Sequence, residues 1–206
     1  MSALSKPCII KRLRKGELIL SPILSDSQIG SSAVDLRLGN VAKMVRARGL
    51  SHVDPQKYLD VNDHNVIKGS QQKLERYEIP FKEPLLLHPG MLALVPTLEW
   101  VKLPDNLKGI VTARSCWARE GLSIATASFI NPGYCGIITL ELANLGQIPI
   151  SLFPGMRLAQ IAFFEITKPV AITEKSQFNL SFEPSAGNIS TDDMAFIPRL
   201  EPKDKS

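Results

Sequence analysis

Cysteine is scarce in this chain, and what there is stands in the wrong places for cross-linking. The 206 residues hold three, Cys8, Cys116 and Cys135, odd in number, widely spaced and never in a CxxC pair. That pattern excludes a disulfide framework and a thiolate zinc cage, and free thiols in a reducing, cytoplasmic setting are expected. Histidine is equally sparse: His52, His64 and His88, none followed by x-Glu. His52 and His64 fall in a turn-rich stretch, whereas metal ligands need organised spacing on rigid elements. They read as exposed side chains, and no metal ligands are expected from the protein.

Long apolar runs are missing as well. Nothing approaches the ~18 consecutive apolar residues of a membrane span, and MSALSKPCIIKRLRKGE has no apolar signal-like core. Neither secretion nor membrane insertion is expected. Charge of one sign is also lacking: 24 Lys and Arg against 20 Asp and Glu give +4, short of the concentrated basic face of a nucleic-acid binder. Such a mild excess suits a protein that binds phosphorylated small molecules.

Helical periodicity is almost absent too. One short helix is expected over 4–15, with Ser5 as cap and Pro7 in the first turn. Its Lys11, Arg12, Arg14 and Lys15 read as a solvated face, and Gly16 as its stop. Beyond it the chain is short apolar runs punctuated by turn formers. Ala33–Leu38 alternates, with Val34, Leu36 and Leu38 on one face and Asp35 and Arg37 on the other, where the two charges can pair or can reach a neighbouring subunit. Residues 47–75 read as a long excursion. Strands are expected at 85–87, 91–95 and 98–103, with Pro96-Thr97 breaking the last two apart. His88-Pro89-Gly90-Met91 and Phe153-Pro154-Gly155-Met156 repeat one hairpin-like type II turn chemistry. The 44% hydrophobic content permits a sizeable core. The class is therefore mainly β, a sandwich or barrel over 1–169, followed by a polar tail at 170–206 that either frays or docks on something else, another subunit included.

The chemistry concentrates between Arg114 and Asn144. Arg114, Ser115, Cys116 and Arg119 form a polar cluster, and two guanidiniums flanking a hydroxyl suit a small anion such as phosphate. A surface pair of arginines would look the same. Glu141 lies in Ile137–Leu142, where Ile138, Leu140 and Leu142 share one side and Ile137, Thr139 and Glu141 the other. A carboxylate among apolar neighbours is desolvated and its pKa rises, which suits proton transfer near neutral pH. An exposed strand face, or an ion pair with Arg119, accounts for the same pattern.

Five stretches together, RSCWAREGL at 114–122, INPGYCGIITLELAN at 130–144, PGMRLAQIAF at 154–163, SSAVDLRLG at 31–39 and LHPGMLALVPTLEWVKLPDNLKG at 87–109, resemble the dCTP deaminase branch of the dUTPase-like trimeric enzymes. The resemblance spans roughly 5–166. It implies a distorted jelly-roll β-barrel, a homotrimer with sites between subunits, and hydrolytic deamination of dCTP to dUTP and ammonia, with Mg²⁺ riding on the triphosphate. By the same resemblance Glu141 is the general base that activates water, and Ser115 and Arg119 position that water. Arg114 and Cys116 belong to the phosphate segment, Ala127 sits against the base, Asn131 contacts the sugar, and Thr139, Leu140 and Glu141 line the nucleoside. The zinc deaminases hold their metal with H-x-E and P-C-x-x-C patterns. This chain has neither, so a deaminase here would use a carboxylate without zinc. Three departures stand out. The usual Arg-Ser-Ser is Arg-Ser-Cys, the usual turn Asp is Asn131, and the tail holds no tyrosine. A dUTP pyrophosphatase or a bifunctional dUMP-forming deaminase stands as an alternative, with Asn131 counting against pyrophosphatase chemistry, and the three departures together motivate a nucleotide-binding paralogue without catalysis.

Overall fold

The computed structural model describes residues 2–46, 73–125, 127–168 and 179–184. The excursion over 47–72, with His52 and His64, lies outside them, as do 169–178 and 185–206. The chain divides into a main unit, 1–45 with 75–185, and a smaller one, 46–74 with 186–206. The main unit carries the described helices and sheets and the candidate site.

The first element is helix α1, Lys6–Arg14, with Ser5 at its N-cap, Pro7 in the first turn and Lys11, Arg12 and Arg14 in the last. Proline is tolerated there because the first helical N–H groups have no intrahelical acceptor. Gly16, at φ +70°, ends the helix as expected. Ile9 of α1 is fully buried, and Ile10 and Leu13 pack partly buried against the same core.

Among the described residues twelve strands follow, all in antiparallel pairs where the register is defined. They are β1 (Ile19–Ser21), β2 (Val34–Arg37), β3 (Val41–Val45), β4 (Leu74–Glu78), β5 (Leu85–Leu87), β6 (Leu92–Lys102), β7 (Leu107–Ala113), β8 (Leu122–Ile124), β9 (Phe129–Ile130), β10 (Cys135–Asn144), β11 (Ile150–Leu152) and β12 (Arg157–Glu165), with helix α2 (Ser115–Arg119) between β7 and β8. One sheet runs β4-β3-β6-β10-β8, with β1 also on β6; a second runs β2-β12-β7-β9; β5 and β11 form a two-stranded ribbon. Their inner faces enclose one core that includes Leu36, Val95, Leu140, Ile161 and Phe163. This is a mainly β architecture with a short N-terminal helix, as the sequence implied.

Three Pro-Gly turns have the expected form. Gly90, Gly133 and Gly155 have φ of 74°, 74° and 88°, and the N–H groups of Met91, Tyr134 and Met156 close on the carbonyls of His88, Asn131 and Phe153. The turns at 88–91 and 153–156 do not make hairpins, however. β5 pairs with β11, so each turn carries the chain out of that ribbon into a larger sheet. Type II geometry splays its flanking strands rather than matching their twist, which is why the same four residues serve a sheet change.

Two further expectations are corrected. Pro96 does not break a strand: β6 runs unbroken through it. The proline, which cannot donate to a ladder, sits at an irregularity where Thr139 faces Pro96 and Ile137 faces Trp100. The Pro96 carbonyl accepts Gly39 N–H at 2.8 Å, and a Cβ on Gly39 would lie 2.8 Å from Pro96 Cγ. Nor do Asp35 and Arg37 pair with each other. Arg37 is buried against Glu99 of β6, Nη1 to Oε1 at 3.2 Å, while Asp35 faces outward to Arg114 and Arg157. The described part of the tail lies along β10 of its own chain. Cys135 N–H donates to Asn179 Oδ1, Leu180 N–H to the Cys135 carbonyl and Ile137 N–H to the Ser181 carbonyl. Glu183 then reaches Arg76 and Lys43.

Candidate active site

The basic half begins where β7 ends. Arg114 takes extended angles (φ −72°, ψ 134°) as N-cap of α2, so the chain turns from strand to helix within one residue. Its N–H donates to the Leu158 carbonyl at 3.0 Å. Trp117 Nε1 donates to the Arg157 carbonyl at 3.0 Å. Both bonds tie α2 to the start of β12. The side chains of Arg114 and Arg157 share one carboxylate: Arg114 Nε lies 3.6 Å from Asp35 Oδ1 and Arg157 Nη1 3.3 Å from Oδ2. Arg157 also donates to the hydroxyls of Ser25 and Ser27 at 3.0 and 2.9 Å. Two cations against one anion leave net positive charge, and Ser115, Cys116 and Arg119 stand exposed beside it. Cys116 is a free, exposed thiol in the first turn of α2.

Sequence reasoning missed Gln160. On β12 it faces Asp35 of β2 on one side and Thr112 of β7 on the other, and its Nε2 donates to Thr112 Oγ1 at 3.2 Å. Asp35, Gln160 and Thr112 thus form a polar row across three strands, leading to Arg114. The signal was available in the sequence, since Gln160 is the one polar residue in the apolar run Leu158–Phe164.

The carboxylate half lies on β10. Ile138, Leu140 and Leu142 are buried on one face while Thr139 and Glu141 are half-buried on the other, the division that the alternation implied. The Leu140 side chain sits in the core, so what this residue can present to a ligand is main chain. Burial pushes the Glu141 carboxyl above the usual carboxylate range, because losing water disfavours the charged form. The Glu141 carbonyl accepts Ala125 N–H at 2.8 Å, and β8 pairs with β10 from Leu142 to Asn144. Ala127 follows in the exposed connection to β9. Asn131 opens the exposed turn after β9 and accepts Tyr134 N–H through its carbonyl.

The two halves are joined through β8 but offset along β10. Gly121, two residues past Arg119, stands beside Leu145, whose N–H donates to the Gly121 carbonyl. Glu141 is four residues back, roughly 13 Å at strand rise. Among the described residues, no group of three or more His, Cys, Asp or Glu gathers to hold a metal ion, and no helix is long and apolar enough to cross a membrane.

The β-fold thus carries a guanidinium cluster around Asp35 and a half-buried carboxylate on β10. Residues 3–166 match the family model described as dCTP deaminase-like, and the chain belongs to that family. A "dCTP deaminase, dUMP-forming" from Dictyoglomus thermophilum is 40% identical over 168 residues, covering 81% of each chain. One of the same description from Methanobrevibacter smithii is 31% identical over 198 residues, 93% of this chain and 97% of its own. A "dCTP deaminase" from Halorubrum lacusprofundi is 34% identical over 195 residues, 92% of each. Among solved structures, the 2'-deoxycytidine 5'-triphosphate deaminase of Agrobacterium tumefaciens superposes with a TM-score of 0.58 at 23% identity. That superposition covers 78% of this chain and 47% of the other, and it speaks to the fold.

Proposed function

We propose that this protein deaminates dCTP by hydrolysis, giving dUTP and ammonia, with Glu141 as the proton shuttle. The observation that carries the reading is Glu141 itself: a half-buried carboxyl on a rigid strand, its pKa raised by burial, in a chain of the dCTP deaminase-like family. Addition of water to C4 of the cytosine requires a base to take one proton from the water. The ring N3 and the departing amine then require an acid. A carboxyl titrating above its ordinary range serves both steps near neutral pH. Ser115 and Arg119 position the water, Ala127 packs against the base, Thr139 and the main chain of Leu140 line the nucleoside, and Asn131 meets the sugar. Arg114 holds the phosphates, with Cys116 beside it, in a region where Arg157 and Arg114 outnumber Asp35. Mg²⁺ enters with the nucleotide as part of the substrate, and no zinc is required. The protein works in nucleotide metabolism in the cytoplasm.

The offset between α2 and Glu141 favours a site assembled from two copies, and a homotrimer is proposed on that ground together with the family. A mixture of Glu141→Gln and Arg119→Ala subunits would then regain activity that neither variant has alone.

A second reading is favoured by the relatives described as dUMP-forming: the dUTP is hydrolysed onward to dUMP and diphosphate. Asn131 weighs against it, because a neutral amide cannot act as the base for a second water. One incubation with dCTP and Mg²⁺, followed for ammonia, dUTP and dUMP together, separates the two. Ammonia with dUTP fits the first reading, and ammonia with dUMP the second. Tight binding without product would mean a nucleotide-binding protein that has lost catalysis.

A further inference from the structure

Both halves of the candidate site hang on a single irregularity in β6. Between the pairs Ile137↔Trp100 and Thr139↔Pro96, β6 has three residues, Thr97, Leu98 and Glu99, where β10 has one, Ile138. The bulge points Thr97 and Glu99 inward, 2% and 0% exposed, and Leu98 outward. Thr97 Oγ1 donates to the Glu99 carbonyl at 2.7 Å and accepts Ile138 N–H at 3.0 Å. The bond fills the gap in the ladder three residues ahead of Glu141. Because side chains alternate, a slip of one residue there would turn Glu141 into the core and Leu140 out of it.

The carboxylate of Glu99 acts on the other half. Its Oε2 accepts Arg37 N–H at 2.8 Å, and its Oε1 accepts from Gln28 Nε2 at 2.8 Å and Arg37 Nη1 at 3.2 Å. Arg37 stands where the β2–β12 ladder also shifts, for Arg157 faces Arg37 and Ala159 faces Leu36. The extra residue is Leu158, and its carbonyl holds Arg114 N–H. Gln28 Nε2 meanwhile bonds the carbonyl of Asp35, whose carboxylate pairs with Arg114.

We propose that Thr97 and Glu99 are positioning residues, the Thr97 hydroxyl setting the register of Glu141 on β10 and the Glu99 carboxylate setting the seat of Arg114. The consequence for kinetics rests on the deamination reading, but the placement itself does not. Thr97→Val keeps the shape and removes the acceptor for Ile138. The variant is expected to lose about tenfold or more in kcat, since small misplacements of a catalytic group are costly, with KM within about twofold. Thr97→Ser keeps the hydroxyl and should retain wild-type kcat. Glu99→Gln should act on the other parameter and raise KM for dCTP.

Hydrogen exchange at the Ala125 amide, which donates to the Glu141 carbonyl, reads the same placement without turnover. It should quicken in Thr97→Val and stay slow in Thr97→Ser. Folded Thr97→Val with wild-type kcat and unchanged Ala125 exchange overturns the proposal. Should Thr97→Val fail to accumulate, Thr97→Ser decides, because a tenfold loss there would mean that the hydroxyl is not what matters. If the wild type releases no ammonia, the deamination reading fails, and the exchange result still upholds or overturns the placement.

Discussion

The carbonyl of Glu141 accepts the amide N–H of Ala125 at 2.8 Å. That bond extends the β8–β10 pairing by one step, from Leu142↔Ile124, and carries the chain across the main-chain side of Glu141 toward Ala127. The residue proposed for proton transfer and the segment proposed to face the base are thus held together by backbone. Glu141 itself stands on a strand anchored in the core by Leu140 and Leu142.

Arg114→Ala should weaken dCTP binding more than it weakens the fold. The Arg114–Asp35 pair is partly exposed at 3.6 Å, and such pairs contribute about 0–1 kcal/mol. We therefore expect KM to rise at least about tenfold, as for a lost charged contact to phosphate, with a thermal midpoint lowered by no more than about 3 °C. Steady-state kinetics and a melting curve on the same preparation check both.

Glu99→Ala should weaken the fold as well as disturb the seat of Arg114. Arg37 would be left buried with its charge unpaired and its main-chain N–H without the Glu99 oxygen that now accepts it. Removing one partner of a buried pair costs about 3–5 kcal/mol, and urea unfolding would report the loss as a lower midpoint.

The raised pKa of Glu141 has two pH consequences of fixed sign. Its cause is burial, so the folded state holds the proton more tightly than the unfolded chain does. That stabilising term is fully present below the unfolded carboxylate pKa. It is lost as pH rises through the window up to the folded value, and stability is flat with respect to this group above it. Glu141→Gln should therefore flatten that fall. As a base, Glu141 must be ionised, so the acid limb of the kcat/KM profile should lie above the ordinary carboxylate range. A limb at or below that range would contradict the assignment.

What could be read from the sequence was local. Ser5, Pro7 and Gly16 bracket α1 because caps and stops act within a few residues, and the three Pro-Gly turns reflect φ preferences alone. The faces of β10 came from simple alternation, so the half-burial of Glu141 was legible. What escaped depends on distant partners. Arg37 looked like a surface charge because Glu99, 62 residues away, decides its burial. Pro96 looked like a strand end because the bulge that tolerates it exists only opposite Ile138. Gln160 became visible as part of the polar row only when β2, β12 and β7 were laid side by side.

The central claim is that Glu141 moves the protons of deamination, and ammonia release by Glu141→Gln tests it most directly. Glutamine keeps the size of the side chain and cannot take a proton from water. The variant is expected to fold, to assemble as the wild type does, to bind dCTP, and to release ammonia at less than about a thousandth of the wild-type rate, in line with the loss of a group that acts only in the transition state. Ammonia release at the wild-type rate would contradict the account.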